Sequence, residues 1–167
     1  MVNAKGRPQI KLIVYDFDGV LTDNRVLVSE DGTESVWCNR SDGWWMGRIK
    51  TDLGIEQCIL STEVNQVVSA RARKLGLEAV QGQADKAVAL RAMIAARGLS
   101  AGDVCYVGNE MNDFECLCMV GLALCPADSH PEILKTAHAT IPVGGGAGIV
   151  RYIHDYLAGK GGFTVKS

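Results

Sequence analysis

Short apolar runs alternate along the chain with segments whose apolar positions recur at helical spacing. Ile10–Tyr15 is apolar but for Lys11, the pattern of a strand buried on both faces of a parallel sheet. Val26–Ser29 and Glu34–Cys38 flank Asp31-Gly32, which signals a hairpin. Asp42 stands where an N-cap belongs, ahead of a helix running to about Asp52 and ended by Gly54. A strand at Ile55–Leu60, a helix at Val64–Leu75, a strand at Glu78–Gln81 and a helix at Ala84–Arg97 follow, the helices closed by Gly76 and Gly98. Next come a strand at Asp103–Val107, a helix at Asn112–Val120 closed by Gly121, a strand at Leu122–Cys125 and a helix from Pro131. Thr140–Val143, the glycine run Gly144–Gly148 and a last helix to about Leu157 complete the pattern. Strands alternating with helices of this length predict an α/β fold, a doubly wound and mostly parallel sheet.

At 167 residues there is room for one domain, placed at residues 10–158 between a polar tail over 1–9 and a mobile tail over 159–167. Seventeen basic against nineteen acidic residues give a net charge of −2, so no global electrostatic attraction draws the chain to nucleic acid or an anionic membrane. The polar opening and the lack of a long apolar run predict a cytoplasmic protein. Four of the six cysteines lie in apolar stretches, and Cys116 and Cys118 are two apart on a predicted helix. Reduced thiols are therefore expected, and no zinc site.

Ligands of an open α/β sheet bind beyond the carboxyl ends of its strands. There the chain places Asp16 and Asp18, then Ser61 and Thr62, then Asn109, Glu110, Asn112 and Asp113, with Lys86 opening the helix after the third strand. Asp16 and Asp18 at positions i and i+2 face one pocket while Phe17 packs the other way, and Gly19 lets the chain turn. Carboxylates that close repel unless a cation joins them, and Mg²⁺ takes oxygen ligands of this kind. Taken singly, each has a plainer reading: strand-end aspartates that cap a loop, a helix-capping Ser61, a solvated Lys86.

Together, Asp16-Phe17-Asp18-Gly19-Val20, Leu60-Ser61-Thr62, Lys86 and Gly108-Asn109-Glu110-Met111-Asn112-Asp113 resemble, in order, the four motifs of the haloacid dehalogenase superfamily of phosphotransferases. The resemblance runs from about Lys11 to Leu157 and implies a Rossmann-like sheet. It also implies Asp16 as nucleophile, Asp18 as acid and then base, and Ser61 and Lys86 as holders of the phosphoryl oxygens. Mg²⁺ would sit on Asp16, the backbone carbonyl of Asp18 and residue 109, with Asp113 contributing directly or through water. Asn109 replaces the family's usual acid there, a ligand without charge.

Residues 19–54 hold only a hairpin and one helix, leaving no room for a cap domain. The capless phosphatases of 3-deoxy-2-keto sugar acid phosphates are similar in Asp16–Asp23, in Asn39-Arg40-Ser41-Asp42-Gly43 and in the glycine run, where Ala147 replaces an arginine. In that group the hairpin (here about 24–38) is a flap, and a neighbouring protomer of a homotetramer closes the site. Trp44, Trp45 and Val26–Val28 would then be interface or wall residues; alternatively one tryptophan ring is core and the other half exposed. Glu63 after Ser61-Thr62, with Arg71 and Lys74 on the following helix, resembles members acting on nine-carbon, sialic-type acids, although Thr62 replaces their glycine. Together with Asp42 and Gly43 these are the substrate contacts the resemblance implies, and an eight-carbon octulosonate 8-phosphate is the alternative. Asn109-Glu110 is also similar to the phosphatase-like domain of CMP-sialate synthetases, an oligomerisation unit. Two readings thus stand: a Mg²⁺-dependent phosphatase, and a scaffold whose metal site has decayed. A receiver-type signalling domain ranks below both.

Overall fold

The computed structural model describes residues 9–166, so the tail expected over 1–9 lies almost wholly outside the described residues. Six parallel strands form the main sheet: β1 (Leu12–Tyr15), β4 (Glu56–Leu60), β5 (Glu78–Val80), β6 (Val104–Val107), β7 (Leu122–Pro126) and β8 (Ala139–Ile141). β2 (Thr22–Val28) and β3 (Glu34–Cys38) form a separate antiparallel hairpin, and the sheet order is β5-β4-β1-β6-β7-β8. The chain moves outward from β1 through β4 to β5, then returns to the other side of β1 with β6. The strand order therefore reverses at the carboxyl end of β1, where open α/β sheets form their crevice.

Alternation along each strand divides the core between the two faces. Ile13 and Tyr15 of β1 face α1 (Arg40–Arg48), α2 (Gln66–Leu75) and α6 (Ile149–Leu157). Leu12 and Val14 face α3 (Lys86–Ala96), α4 (Phe114–Met119) and α5 (Pro131–Thr136). Central strand β1 is fully buried, as its unbroken apolar run requires. Among the described residues no helix is long and apolar enough to cross a membrane. Cys58, Cys105, Cys116 and Cys125 are buried free thiols and Cys118 is exposed, so the pair two apart does point to different sides.

Four expectations change in detail. The N-cap of α1 is Asn39, whose side chain accepts from Ser41 N, and α1 widens into a π-helical turn over Ile49–Leu53 that Gly54 ends. Helix α2 begins at Gln66 instead of Val64 because Asn65 caps it through Val67 N, and Val64 is left exposed. Gly121 does not cap α4 in the left-handed region. A Cβ there would lie 2.3 Å from Gly102 O, so two loops need it for their close approach. The tail after α6 is docked where mobility was expected: Phe163 stacks on Tyr156 at 4.5 Å, and Lys166 N and Nζ donate to His138 O and Ala137 O.

Asp42 has a different task from the one its position suggests. Gly148 opens α6 and offers no side-chain cap, and Asp42 Oδ1 reaches across from α1 to accept from Val150 N at 3.1 Å. Its Oδ2 is buried with no partner, and burial pushes the Asp42 carboxyl up to about 6. Because the folded value is raised, the stability this group contributes is full below about pH 4 and lost as pH climbs through about 6. Asp42→Asn keeps the acceptor and removes the charge. It is expected to stabilise the protein by about 2 kcal/mol at pH 8 and by little at pH 4, read by thermal melting at both; equal shifts at the two pH values would exclude this account.

Candidate active site

Lys86, the first residue of α3, lies between two buried carboxylates. Its Nζ is 2.7 Å from Asp16 Oδ1 and 2.8 Å from Asp113 Oδ1, and all three groups are almost inaccessible to water. The plainer reading of a solvated lysine is thereby excluded. Asp113 accepts on both oxygens: Tyr106 OH donates to Oδ1 at 2.7 Å, and the Asn109 and Glu110 backbone N–H groups donate to Oδ2. Asp113 thus anchors Lys86 and the β6 loop, and of the two expected contributions to a Mg²⁺ site, direct or through water, the direct one finds both oxygens already engaged. Gly108 permits this turn, since a Cβ there would lie 2.6 Å from Asp113 Cγ. Tyr106 was not legible as a site residue because it reads as one more apolar residue of β6.

Asp16 closes β1. Its Oδ1 also accepts from Phe17 N at 2.7 Å, while Phe17 itself is fully buried in the core. Burial and the nearby Asp113 push the Asp16 carboxyl up to about 8, against the lowering pull of Lys86. Lys86 is raised above its ordinary value by the two carboxylates, in spite of burial, and stays charged. Asp18 is half-buried, and burial, then Glu63, raise its carboxyl. Thr22 Oγ1 accepts from Gly19 N and Asn24 N and so gives its proton to Asp18. Ser61 Oγ, at the end of β4, accepts from Glu63 N at 3.1 Å, leaving its hydroxyl proton to donate elsewhere.

The side chain of Asn109 meets the unused side of Asp16. The inner carboxamide atom lies 2.9 Å from the Asp18 carbonyl oxygen and 3.2 Å from Asp16 Oδ2; as the nitrogen it donates to both, and turned oxygen inward it would complete a set of three oxygens. Adjacent oxygens of an octahedral Mg²⁺ are about 2.9 Å apart for bonds of 2.0–2.1 Å, so this set fits the ion. A bound Mg²⁺ would be held by Asp16, the Asp18 carbonyl and Asn109, and it would supply positive charge that favours ionised Asp16 and phosphoryl oxygens. Asp18 lines a cavity of about 230 Å³ that Glu63, Arg25, Glu34 and Asn65 also line.

The other expected contacts disperse. Glu63 shares the cavity of Asp18, whereas Thr62 is half-buried beside it on the same loop. Arg71 donates to Asn39 O at 2.8 Å, and with Lys74 and Gly43 it lines a separate depression of about 280 Å³. Gly43 sits where a Cβ would touch Leu75 Cδ2, so it packs α1 on α2. Asp42 is committed to α6. Within one chain, therefore, Asp42, Gly43, Arg71 and Lys74 are not brought to the Asp16 pocket.

The glycine run works inside the chain. A Cβ on Gly145 would lie 2.1 Å from Gly19 O, Gly146 N donates to Val20 O, and Asn39 Nδ2 donates to Gly146 O. These contacts brace the loop that carries Asp18. The hairpin is tied over the cavity by Asn65 Nδ2, which donates to Glu34. Val26, Leu27, Val28 and Trp37 of the hairpin are exposed, as is Trp44, whereas Trp45 packs on the core with its ring 4.9 Å from that of His154.

A strand end bearing Asp16 and Asp18, a buried lysine and an oxygen set that suits Mg²⁺ meet at the reversal of strand order. A family model described as haloacid dehalogenase-like hydrolase matches residues 52–153. The chain belongs to the haloacid dehalogenase-like hydrolases. Among curated relatives of this hydrolase, a 3-deoxy-D-manno-octulosonate 8-phosphate phosphatase of Yersinia pestis is 32% identical over 149 residues, 89% of this chain and 79% of that one. A solved hydrolase of the family from Streptomyces avermitilis is 39% identical with a TM-score of 0.85, covering 89% of this chain and 84% of that one. The octulosonate 8-phosphate phosphatase of Moraxella catarrhalis, solved with magnesium, phosphate and KDO, is 25% identical with a TM-score of 0.87, covering 92% and 88%. Among the described residues the hydrolase carries no cap domain on its six-stranded parallel sheet.

Proposed function

We propose that the protein is a Mg²⁺-dependent phosphomonoesterase for a 3-deoxy-2-keto sugar acid phosphate, with Asp16 as its nucleophile. The observation that carries this reading is the meeting of Asp16, the Asp18 carbonyl, Asn109 and Lys86 at one strand end. An Asp16 oxygen bonds to phosphorus as the bond to the leaving oxygen breaks, and Asp18, held by Thr22, gives that oxygen its proton. Asp18 then takes a proton from water as the water attacks phosphorus, which returns Asp16 and releases phosphate. The raised carboxyl of Asp18 suits a group that must first donate a proton. Lys86 and the Ser61 hydroxyl balance charge on the phosphoryl oxygens.

The curated relatives favour an eight-carbon octulosonate 8-phosphate as substrate. Glu63 in the cavity of Asp18 favours a second reading, the nine-carbon acid. For Arg71 and Lys74 to contact the same substrate, a second copy would have to present them, and the exposed apolar hairpin supports a homotetramer that covers the open site. Phosphate release from both sugar acid phosphates, with and without Mg²⁺, tests the function, and light scattering tests the assembly. Mg²⁺-dependent release is expected. No release from any sugar acid phosphate at saturating Mg²⁺ would instead support the scaffold reading.

A further inference from the structure

Asn109 is the one member of its oxygen set that can change from acceptor to donor without taking up a proton. Its backbone is fixed, because N–H donates to Asp113 Oδ2 at 2.9 Å and its carbonyl accepts from His130 N at 2.9 Å. Its side chain is buried. What remains free is a half-turn of the carboxamide. With the nitrogen inward, Nδ2 donates to Asp18 O at 2.9 Å and to Asp16 Oδ2 at 3.2 Å, and both acceptors are satisfied without any cation. With the oxygen inward, three oxygens converge, and a cation, or a proton on Asp16, has to reconcile them. Gly19 leaves space for either orientation, since a Cβ there would lie 2.0 Å from the outward amide nitrogen.

We propose that the Asn109 carboxamide is a two-position element that replaces the metal when the metal is absent and ligates it when it is present. This rests on the reading of the site as a Mg²⁺ site. Nitrogen inward, the amide ties the nucleophile to the Asp18 loop and keeps the metal-free protein in its working geometry. Oxygen inward, it is a neutral ligand. An aspartate at this place would offer the second state alone: it would bind Mg²⁺ more tightly but would leave buried oxygens in mutual repulsion whenever the ion left. The asparagine thus exchanges metal affinity for a site that survives metal loss.

The test compares the wild type with Asn109→Asp, each in EDTA and in MgCl₂. The wild type is expected to melt at nearly the same temperature in both. Asn109→Asp is expected to melt lower in EDTA, to recover with MgCl₂, and to bind Mg²⁺ at least about ten-fold more tightly by calorimetry, because it adds a ligand charge. Equal stability of the two proteins in EDTA, or equal Mg²⁺ affinity, would overturn the proposal. Should the variant fail to fold, the wild type decides by NMR. The Asn109 side-chain amide protons are expected to be protected from exchange in EDTA and to lose protection at saturating Mg²⁺. An amide unprotected in EDTA, or unchanged as the ion binds, would overturn it. Absence of Mg²⁺ binding by both proteins would remove the metal-dependent function along with the switch. Equal binding accompanied by Mg²⁺-dependent phosphate release would remove the switch alone.

Discussion

Asp16→Asn is expected to lower phosphate release by about a thousand-fold or more, since removal of a nucleophile that acts as part of a unit forfeits nearly all of that unit's effect. The same variant is expected to melt at pH 8 no lower than the wild type. The folded carboxyl is raised to about 8, so the stability it contributes is full below about pH 4 and lost as pH rises through about 8. An amide at this position escapes that loss, and Lys86 retains Asp113 as its partner. Phosphate assay and thermal melting on one preparation check both halves. Turnover near wild type would remove Asp16 from the chemistry, and a collapsed fold would mean that its carboxylate is a structural need.

Lys86→Met has the opposite profile. It removes the single cation between two buried acids while preserving the length of the side chain. Breaking a buried pair from one side costs about 3–5 kcal/mol, because the charges left behind have lost their partner. The deficit is expected to be largest at pH 8 and to shrink toward pH 5, where the Asp16 carboxyl has taken up its proton. Urea unfolding at the two pH values measures it, and a deficit independent of pH would mean that packing, not charge, is what the lysine supplies. Turnover is expected to fall as well, for Asp16 would be harder to ionise.

Asp16, Asp18, Ser61, Lys86 and Asn109 were legible because each is tied to a strand end, and strand ends are marked by where apolar runs stop. The sheet was legible for the same reason. Asp42 was misplaced because its partner, Val150 N, lies 108 residues away, and a side-chain bond across that distance leaves no periodic trace. Asp113 was read as a ligand because sequence shows a carboxylate but not that Tyr106, Lys86 and two backbone N–H groups already use both its oxygens. Arg71 and Lys74 fall at helical spacing and do share a face, yet that face opens beside α1 and away from Asp16. The docked tail escaped because its composition is that of a loop, and its anchors, Phe163 and Lys166, are isolated residues.

The contact of Gly145 and Gly146 with the Gly19–Thr22 backbone has a bearing on how the protein comes into being. The Asp16–Asp18 loop leaves the ribosome before five of the six strands of the main sheet, while the glycines that brace it, and the α6 that Asp42 caps, follow after all of those strands have been made. A nascent chain therefore carries Asp16 and Asp18 through the making of β4 to β8 without the support that sets their geometry. A message broken before Gly144 would yield a sheet with its acids and lysine and nothing to hold the loop in register. The geometry of that loop is set only once the glycine run and α6 have been made.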